Sequence, residues 1–181
     1  FKTIPASNTA DVMNHSCAMN PRIHLVSSPK AQMMCGPALT VKCRAGDNLA
    51  LHAALNMYQE GDVLVVSNEE DTTRALMGEV MMAFLYEVKK VAGIILDGEV
   101  NVPVSCGGIS VNPGDIILAD PDGVIVIPPK DAPGILVEAK KFQEADKGKL
   151  VKTRSGTINR GWVDKTLQDK GFECIDAAYQ P

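Results

Sequence analysis

No run of lysine and arginine, no long apolar stretch, no paired-cysteine motif and no glycine-rich nucleotide loop occurs in these 181 residues. Each absence excludes a class of function. The formal net charge is −4 and the pI about 5.4. A nucleic-acid partner is therefore not expected, because backbone binding needs a basic footprint. Membrane spanning is not expected either: the most apolar run, Val80 to Val88, is interrupted by Glu87 and far too short. The opening FKTIPASNTADVMNHSCAMN lacks the continuous apolar core of a secretory leader. Five cysteines (Cys17, Cys35, Cys43, Cys106 and Cys174) fit neither CxxC nor zinc-ribbon spacing. They read as reduced, mostly buried thiols of a cytoplasmic protein. His15, His24 and His52 are scattered and form no ligand pair. Walker A, GxGxxG and nucleophile-elbow patterns are all missing.

What is present is an alternation of helices and strands over a length that suits one domain, 1–181. GDNLALHAALNMYQEGD predicts a helix capped by Asp47, with Leu51, Leu55 and Tyr58 on one face and a stop at Gly61. Val63 to Val66 is a continuous apolar strand of the kind buried on both faces. The acidic run Glu69-Glu70-Asp71 reads as a solvated loop ahead of a second helix. Val80, Met81, Phe84, Leu85 and Val88 are expected to form that helix's core stripe. Ile94 to Leu96 is another buried strand. Short strands follow at Val102–Ser105, Ile109–Val111, Ile116–Ala119 and Val124–Ile127, separated by CGG, NPGD and DPDG turns. Helices over about 131–147 and 158–170 complete the chain.

Two places carry chemical interest. In ALMGEVMM, Gly78 and Glu79 stand where a striped helix begins after a buried strand. Free N–H groups there can hold a carboxylate or phosphate, and glycine admits close approach. An acidic residue favoured in a first helical turn accounts for Glu79 equally well. In AGIILDGEVNVPVSCGGISV, Asp97-Gly98 between two β-branched runs is a strong hairpin signal.

GPALTVKCRAGDNLALHAAL, EGDVLVV, MGEVMM, VAGIILDG, NVPVSCGGISVNPGDIILADPDGVIVIP and TRSGTINRGWVDKTL together resemble the RraA-like family. That family includes a regulator of ribonuclease activity and the 4-hydroxy-4-methyl-2-oxoglutarate aldolases. Some members carry a methyltransferase label, which this chain does not support. The resemblance implies an α/β fold, the swivelling β/β/α domain with a mixed sheet flanked by helices, assembled as a homotrimer or a hexamer made of two trimers. It implies a metal-dependent class II aldolase using Mg²⁺ or Mn²⁺ on a small 2-oxo acid, with a non-catalytic regulatory binding protein as the alternative. Glu79 matches the acidic residue that reaches the metal through water, and Gly78, Val80 and Met81 match the helix start that receives the substrate carboxylate. Glu144 matches, loosely, an acidic residue supplied to the metal's waters by a neighbouring subunit. The family's Asp-Gly continues into an Arg-Asp pair, whose Asp is the direct metal ligand, and a few tens of residues pass before a phrase like NVPVSCGG resumes. Here Asp97-Gly98 meets that phrase at once. The resemblance thus implies that the hairpin is false and that a segment is missing near 98–101; the alternative is a true deletion. The Glu79-to-Asp97 spacing is also one residue longer than the family's.

Overall fold

The computed structural model describes residues 1–25, 33–68, 73–96 and 103–172, with the side chain of Asp164 excepted. The strands at its centre are β1 (Met34–Lys42), β2 (Val63–Ser67), β3 (Gly93–Leu96), β6 (Ile116–Asp120) and β7 (Gly123–Ile127). They form one mixed sheet in the order β3-β2-β1-β6-β7. Between β3 and β6 in the chain, β4 (Val104–Cys106) and β5 (Ile109–Val111) make a separate antiparallel pair.

β1 holds the sheet together by changing partners along its length. Met34 to Pro37 run antiparallel to β6, and Ala38 to Lys42 run parallel to β2. Pro37, which has no N–H to give, falls where one ladder ends and the other begins. The next residue is tied firmly: the Ala38 N–H donates to the Asp115 carbonyl at 2.7 Å and its carbonyl accepts from Gly114 at 2.9 Å.

β2 is buried at every position, which explains its uninterrupted apolar run. Leu64 and Val66 pack on one face with Leu39, Val41 and the helices; Val63 and Val65 pack on the other with Ile95, Val104, Cys106 and Ile117. On the first face lies α2 (Leu49–Ala54), which is shorter than its apolar periodicity predicts. Its N-cap is Asn48 and not the expected Asp47, which stands one residue earlier and whose Oδ1 accepts from the Leu49 N–H at 2.9 Å. Tyr58 lies beyond the helix but stays buried, its hydroxyl donating to the Asp62 carbonyl at 2.8 Å. A third apolar cluster joins Leu118, Ile125 and Ile127 to α1 (Ala6–Val12) and to Ala132.

These elements belong to a compact unit, Phe1–Gln143; a second unit spans Glu144–Pro181. The long helix α4 (Ala132–Arg154) runs through the boundary, and α5 (Trp162–Asp169) lies in the second unit. α4 continues past the expected end at Lys147, since Gly148 does not take the positive φ of a helix stop and Gly156, at φ +69°, does. Among the described residues no cysteine is in a disulfide: Cys17, Cys43 and Cys106 are buried and Cys35 partly so. Burial pushes the thiols of Cys17, Cys35 and Cys43 above their usual range. No helix is long and apolar enough to cross a membrane among the described residues. The Asp97-Gly98 turn and the acidic run lie outside the described residues.

Candidate functional site

Because β1, β2 and β3 run parallel, Lys42, Ser67 and Leu96 finish at one edge of the sheet. In open α/β sheets this carboxyl edge is where ligands gather. Two loops meet there. The Asn48 Nδ2 donates to the Leu76 carbonyl at 3.1 Å, fastening the approach to the next helix against the start of α2. Arg74 packs over Gly46, where any Cβ would collide with its aliphatic stem. Neither Asn48 nor Arg74 stood out in the sequence, where they read as ordinary polar loop residues.

The helix so positioned is α3 (Glu79–Ala83), which continues into a π-turn over Phe84–Val88. Gly78 is its N-cap, extended at φ −109° and ψ 177°, and nothing lies within 4 Å of the space a side chain would fill. Any residue can adopt that backbone, so glycine here keeps the approach open. The Met82 N–H bonds back to the Gly78 carbonyl at 3.1 Å. The N–H groups of Glu79, Val80 and Met81 find no acceptor among the described residues. Such a triplet, at the positive end of a helix, can receive a carboxylate. Glu79 is exposed and pairs with no basic side chain among the described residues.

The expected core stripe of this helix needs correction. Met81 and Leu85 are buried, whereas Val80 is 87% and Val88 63% exposed and Phe84 lies at the surface. Only the Met81–Leu85 line meets the sheet. Val80 and Phe84 each stand one residue back, about 100° round the helix, and face outward. The π-turn matters for register. Its Lys89 N–H reaches the Phe84 carbonyl, five residues back, at 3.1 Å. Such a turn spends one residue more than an α-turn.

Gly78, Glu79, Val80 and Met81 are thus contiguous at one helix start. Glu144 belongs to the second unit, exposed on α4, with the Lys147 Nζ at 2.6 Å from its carboxylate. Among the described residues, no group of three or more His, Cys, Asp or Glu side chains could hold a metal ion. His15 pairs with Asp11 at 3.3 Å and the His24 ring meets the Arg22 carbonyl at 2.8 Å, both at the surface.

Sequence and fold comparisons place the chain in a family. The RraA-like family model, described as Aldolase/RraA, matches residues 6–100 and 97–126 in two pieces. The chain belongs to the RraA-like family. A Halalkalibacterium halodurans protein provisionally named 4-hydroxy-4-methyl-2-oxoglutarate aldolase is 30% identical over 180 residues, covering 82% of this chain and 84% of its own. An Ectopseudomonas mendocina protein of the same provisional name is 29% identical over 124 residues, covering 51% of this chain and 75% of its own. The crystal structure of Streptomyces coelicolor RraAS2, titled an unusual member of the RNase ES inhibitor RraA family, superposes with a TM-score of 0.68. It is 19% identical and covers 82% of this chain and 92% of its own, a likeness of fold.

Proposed function

We propose that this chain is built on the plan of a class II aldolase that cleaves a 4-hydroxy-2-oxo dicarboxylate, of the 4-hydroxy-4-methyl-2-oxoglutarate type, to pyruvate and a second oxo acid. Oxaloacetate decarboxylation is a side activity of the same plan. The observation that carries this reading is the open helix start: three N–H groups with no acceptor among the described residues, beside an uncovered Gly78, at the carboxyl edge of a parallel sheet. The kinship with two provisional aldolases supports it.

In this reading the N–H groups of Glu79, Val80 and Met81 receive the carboxylate of the 2-oxo acid and fix its orientation. Glu79, at the rim of that cradle, takes or returns a proton through water. Its own negative charge beside a bound anion calls for a cation, which in the family plan is Mg²⁺ or Mn²⁺. The described residues do not fit such an ion, since they bring no three ligands together. The catalytic form therefore needs the Arg-Asp pair absent from the present 181 residues. Subunit assembly as a trimer or as two stacked trimers is part of the same proposal, supported by the exposed apolar line of Val80, Phe84 and Val88 beside the site.

The test is pyruvate release from 4-hydroxy-4-methyl-2-oxoglutarate with Mg²⁺ or Mn²⁺. A form carrying the Arg-Asp segment is expected to turn over and the 181-residue chain is not. Equal turnover by both would remove the need for the pair. A long form that is folded but inactive, and that binds and inhibits a ribonuclease, would establish the second reading: a regulatory protein akin to Streptomyces coelicolor RraAS2.

A further inference from the structure

Charge is spread unevenly along this chain. Residues 1–146 carry eleven lysines and arginines against eighteen acids, whereas residues 147–170 carry seven against two. The whole-chain charge of −4 therefore conceals a short, strongly basic stretch. It lies wholly in the second unit, on the distal part of α4, the connection 155–161 and α5. All seven basic side chains are exposed. The connection is tied down by its own hydrogen bonds. The Gly156 N–H donates to the Thr153 carbonyl at 3.1 Å and the Thr157 N–H to the Lys152 carbonyl at 2.9 Å. The Gly161 N–H donates to the Asn159 Oδ1 at 2.8 Å.

Part of this charge has a local explanation. Lys147 and Lys149 pair with Glu144 and Asp146, at 2.6 and 2.9 Å. Lys152 and Arg154 in the last turn of α4, and Lys170 at the C-cap of α5, suit the negative ends of those helices. Arg160 has no such reason. It directly precedes Gly161, the N-cap of α5, where the helix dipole is positive and disfavours a cation. Neither Arg160 nor Lys165 pairs with a carboxylate among the described residues. Between them stands Trp162, the first residue of α5, 66% exposed. A cation set against a dipole and a large ring left in water are both unfavourable until something covers them.

The covering partner must be anionic, and its shape is constrained. A helix that lies on a lipid surface needs one continuous apolar face. α4 does not offer one here: at about 100° per residue, Lys147, Lys149, Lys152 and Arg154 point round the whole helix. On α5, Val163 and Leu167 are already half-buried, which leaves Trp162 as that helix's one large exposed apolar side chain. Isolated cations with a flat ring among them suit a flexible chain of phosphates carrying flat bases. Single-stranded nucleic acid has that form, its backbone held by lysine and arginine and its bases stacked on aromatic side chains.

We propose that the basic stretch Lys147–Lys170 is a docking surface for single-stranded nucleic acid, with Lys152, Arg154, Arg160 and Lys165 on phosphates and Trp162 stacked on a base. This goes beyond the aldolase reading and does not rest on it, because the readout is binding and not turnover. Trp162 is the single tryptophan of the chain, so its fluorescence reports on the surface directly. The probes are an oligouridylate and an oligothymidylate of about twelve nucleotides, within the span such surfaces cover. Both are expected to quench Trp162 with a Kd of about 10⁻⁴–10⁻⁶ M. Equal binding assigns recognition to the backbone shared by RNA and DNA; a preference for one names the source. Affinity is expected to fall at least tenfold between about 50 and 200 mM salt, as about three phosphate contacts require. With a labelled oligonucleotide read by anisotropy, Trp162→Ala is expected to weaken binding at least about fivefold. The double change Arg154→Gln with Arg160→Gln is expected to weaken it at least about tenfold and to make the salt dependence shallower. Lys130→Gln, an exposed cation of the first unit, is the control and should change nothing. All of these side chains are exposed, so each variant should keep the parent's circular dichroism and melting curve. Absence of quenching and of anisotropy change at about 50 mM salt overturns the proposal. So does binding that survives both the Trp162 and the paired arginine changes, or binding lost equally in Lys130→Gln. Vesicles containing phosphatidylserine are the remaining arm: a Trp162 blue shift with them and none with either oligonucleotide makes the partner a lipid surface and overturns the proposal.

Discussion

Replacing Gly36 with alanine tests how closely β1 and the turn before β2 must approach. Gly36 is buried, and a Cβ there would overlap the Gly61 carbonyl oxygen, with the carbonyl carbon at 3.3 Å and Val63 Cγ2 at 3.4 Å. The obstacle is backbone, and Gly61 sits in a tight turn at φ +89°, so little can yield. Overpacking of this kind costs about 3 kcal/mol, the upper end for an added methyl. Alanine also narrows the unfolded ensemble, which returns about 0.4–1 kcal/mol where φ is not positive. The net loss is about 2 kcal/mol, or about 4–8 °C in Tm for a chain of this length. Far-ultraviolet circular dichroism during a thermal melt is the suitable assay, because the single tryptophan, Trp162, lies in the second unit and would report on the wrong part. Gly93→Ala is the control. A Cβ there meets only the side chain of Met34, which is flexible, so the loss should stay below about 1 kcal/mol. A Gly36→Ala protein melting within 2 °C of the parent (roughly the effect of a surface change), or two variants that lose equally, would refute the reasoning from backbone contact.

Glu79→Gln, made in a form that turns over a 2-oxo acid, should lower turnover by about 10²–10⁴-fold with folding nearly unchanged, because the side chain is exposed. Mixing inactive Glu79→Gln and Glu144→Gln subunits should restore part of the activity if neighbouring subunits share the site; failure of every mixture rejects sharing. Tyr58 is pushed up to about 12 from 10.0, chiefly by burial. Its neutral form is favoured in the fold, so stability should hold below pH 10 and fall as pH rises from 10 toward 12; Tyr58→Phe should flatten that decline in a pH series of urea melts. Intact-mass spectrometry of the protein from its natural source should exceed 19.4 kDa, the surplus including an Arg-Asp pair after Gly98. A mass equal to the present chain makes the deletion real and argues against catalysis.

The strand buried on both faces was the easiest to read: Val63–Val66 stands where its continuous apolar run puts it. Ile109–Val111 stands where the flanking turn signals put it, with Ser110 exposed. The most central strand, β1, gave the weakest signal, because Gly36 and Pro37 both count against a strand interior. Their presence becomes intelligible only when the partner switch and the Gly61 contact are known. α1 was invisible for a different reason. Its inward residues are Ala6, Asn8, Thr9 and Ala10, too small and polar to draw a stripe. At the candidate site, Gly78 and Glu79 were legible as a helix start. That Val80 and Phe84 would face outward was not, since periodicity shows which residues share a side but not how wide a strip the sheet covers.

The partner switch in β1 also governs the order in which the chain can assemble. β6 and β7 are joined by a tight turn and can pair almost as soon as they meet. β1 reaches β6 across a loop of about eighty residues, from Cys35 to Leu118, whose closure carries a large entropic penalty before any contact repays it. On its other flank it must also find β2 in parallel register. Insertion of β1 between two half-sheets is therefore the slow step, and until it happens β2 and the β6–β7 ribbon each show a naked apolar edge. The interval before β1 docks is when this chain is most exposed to aggregation.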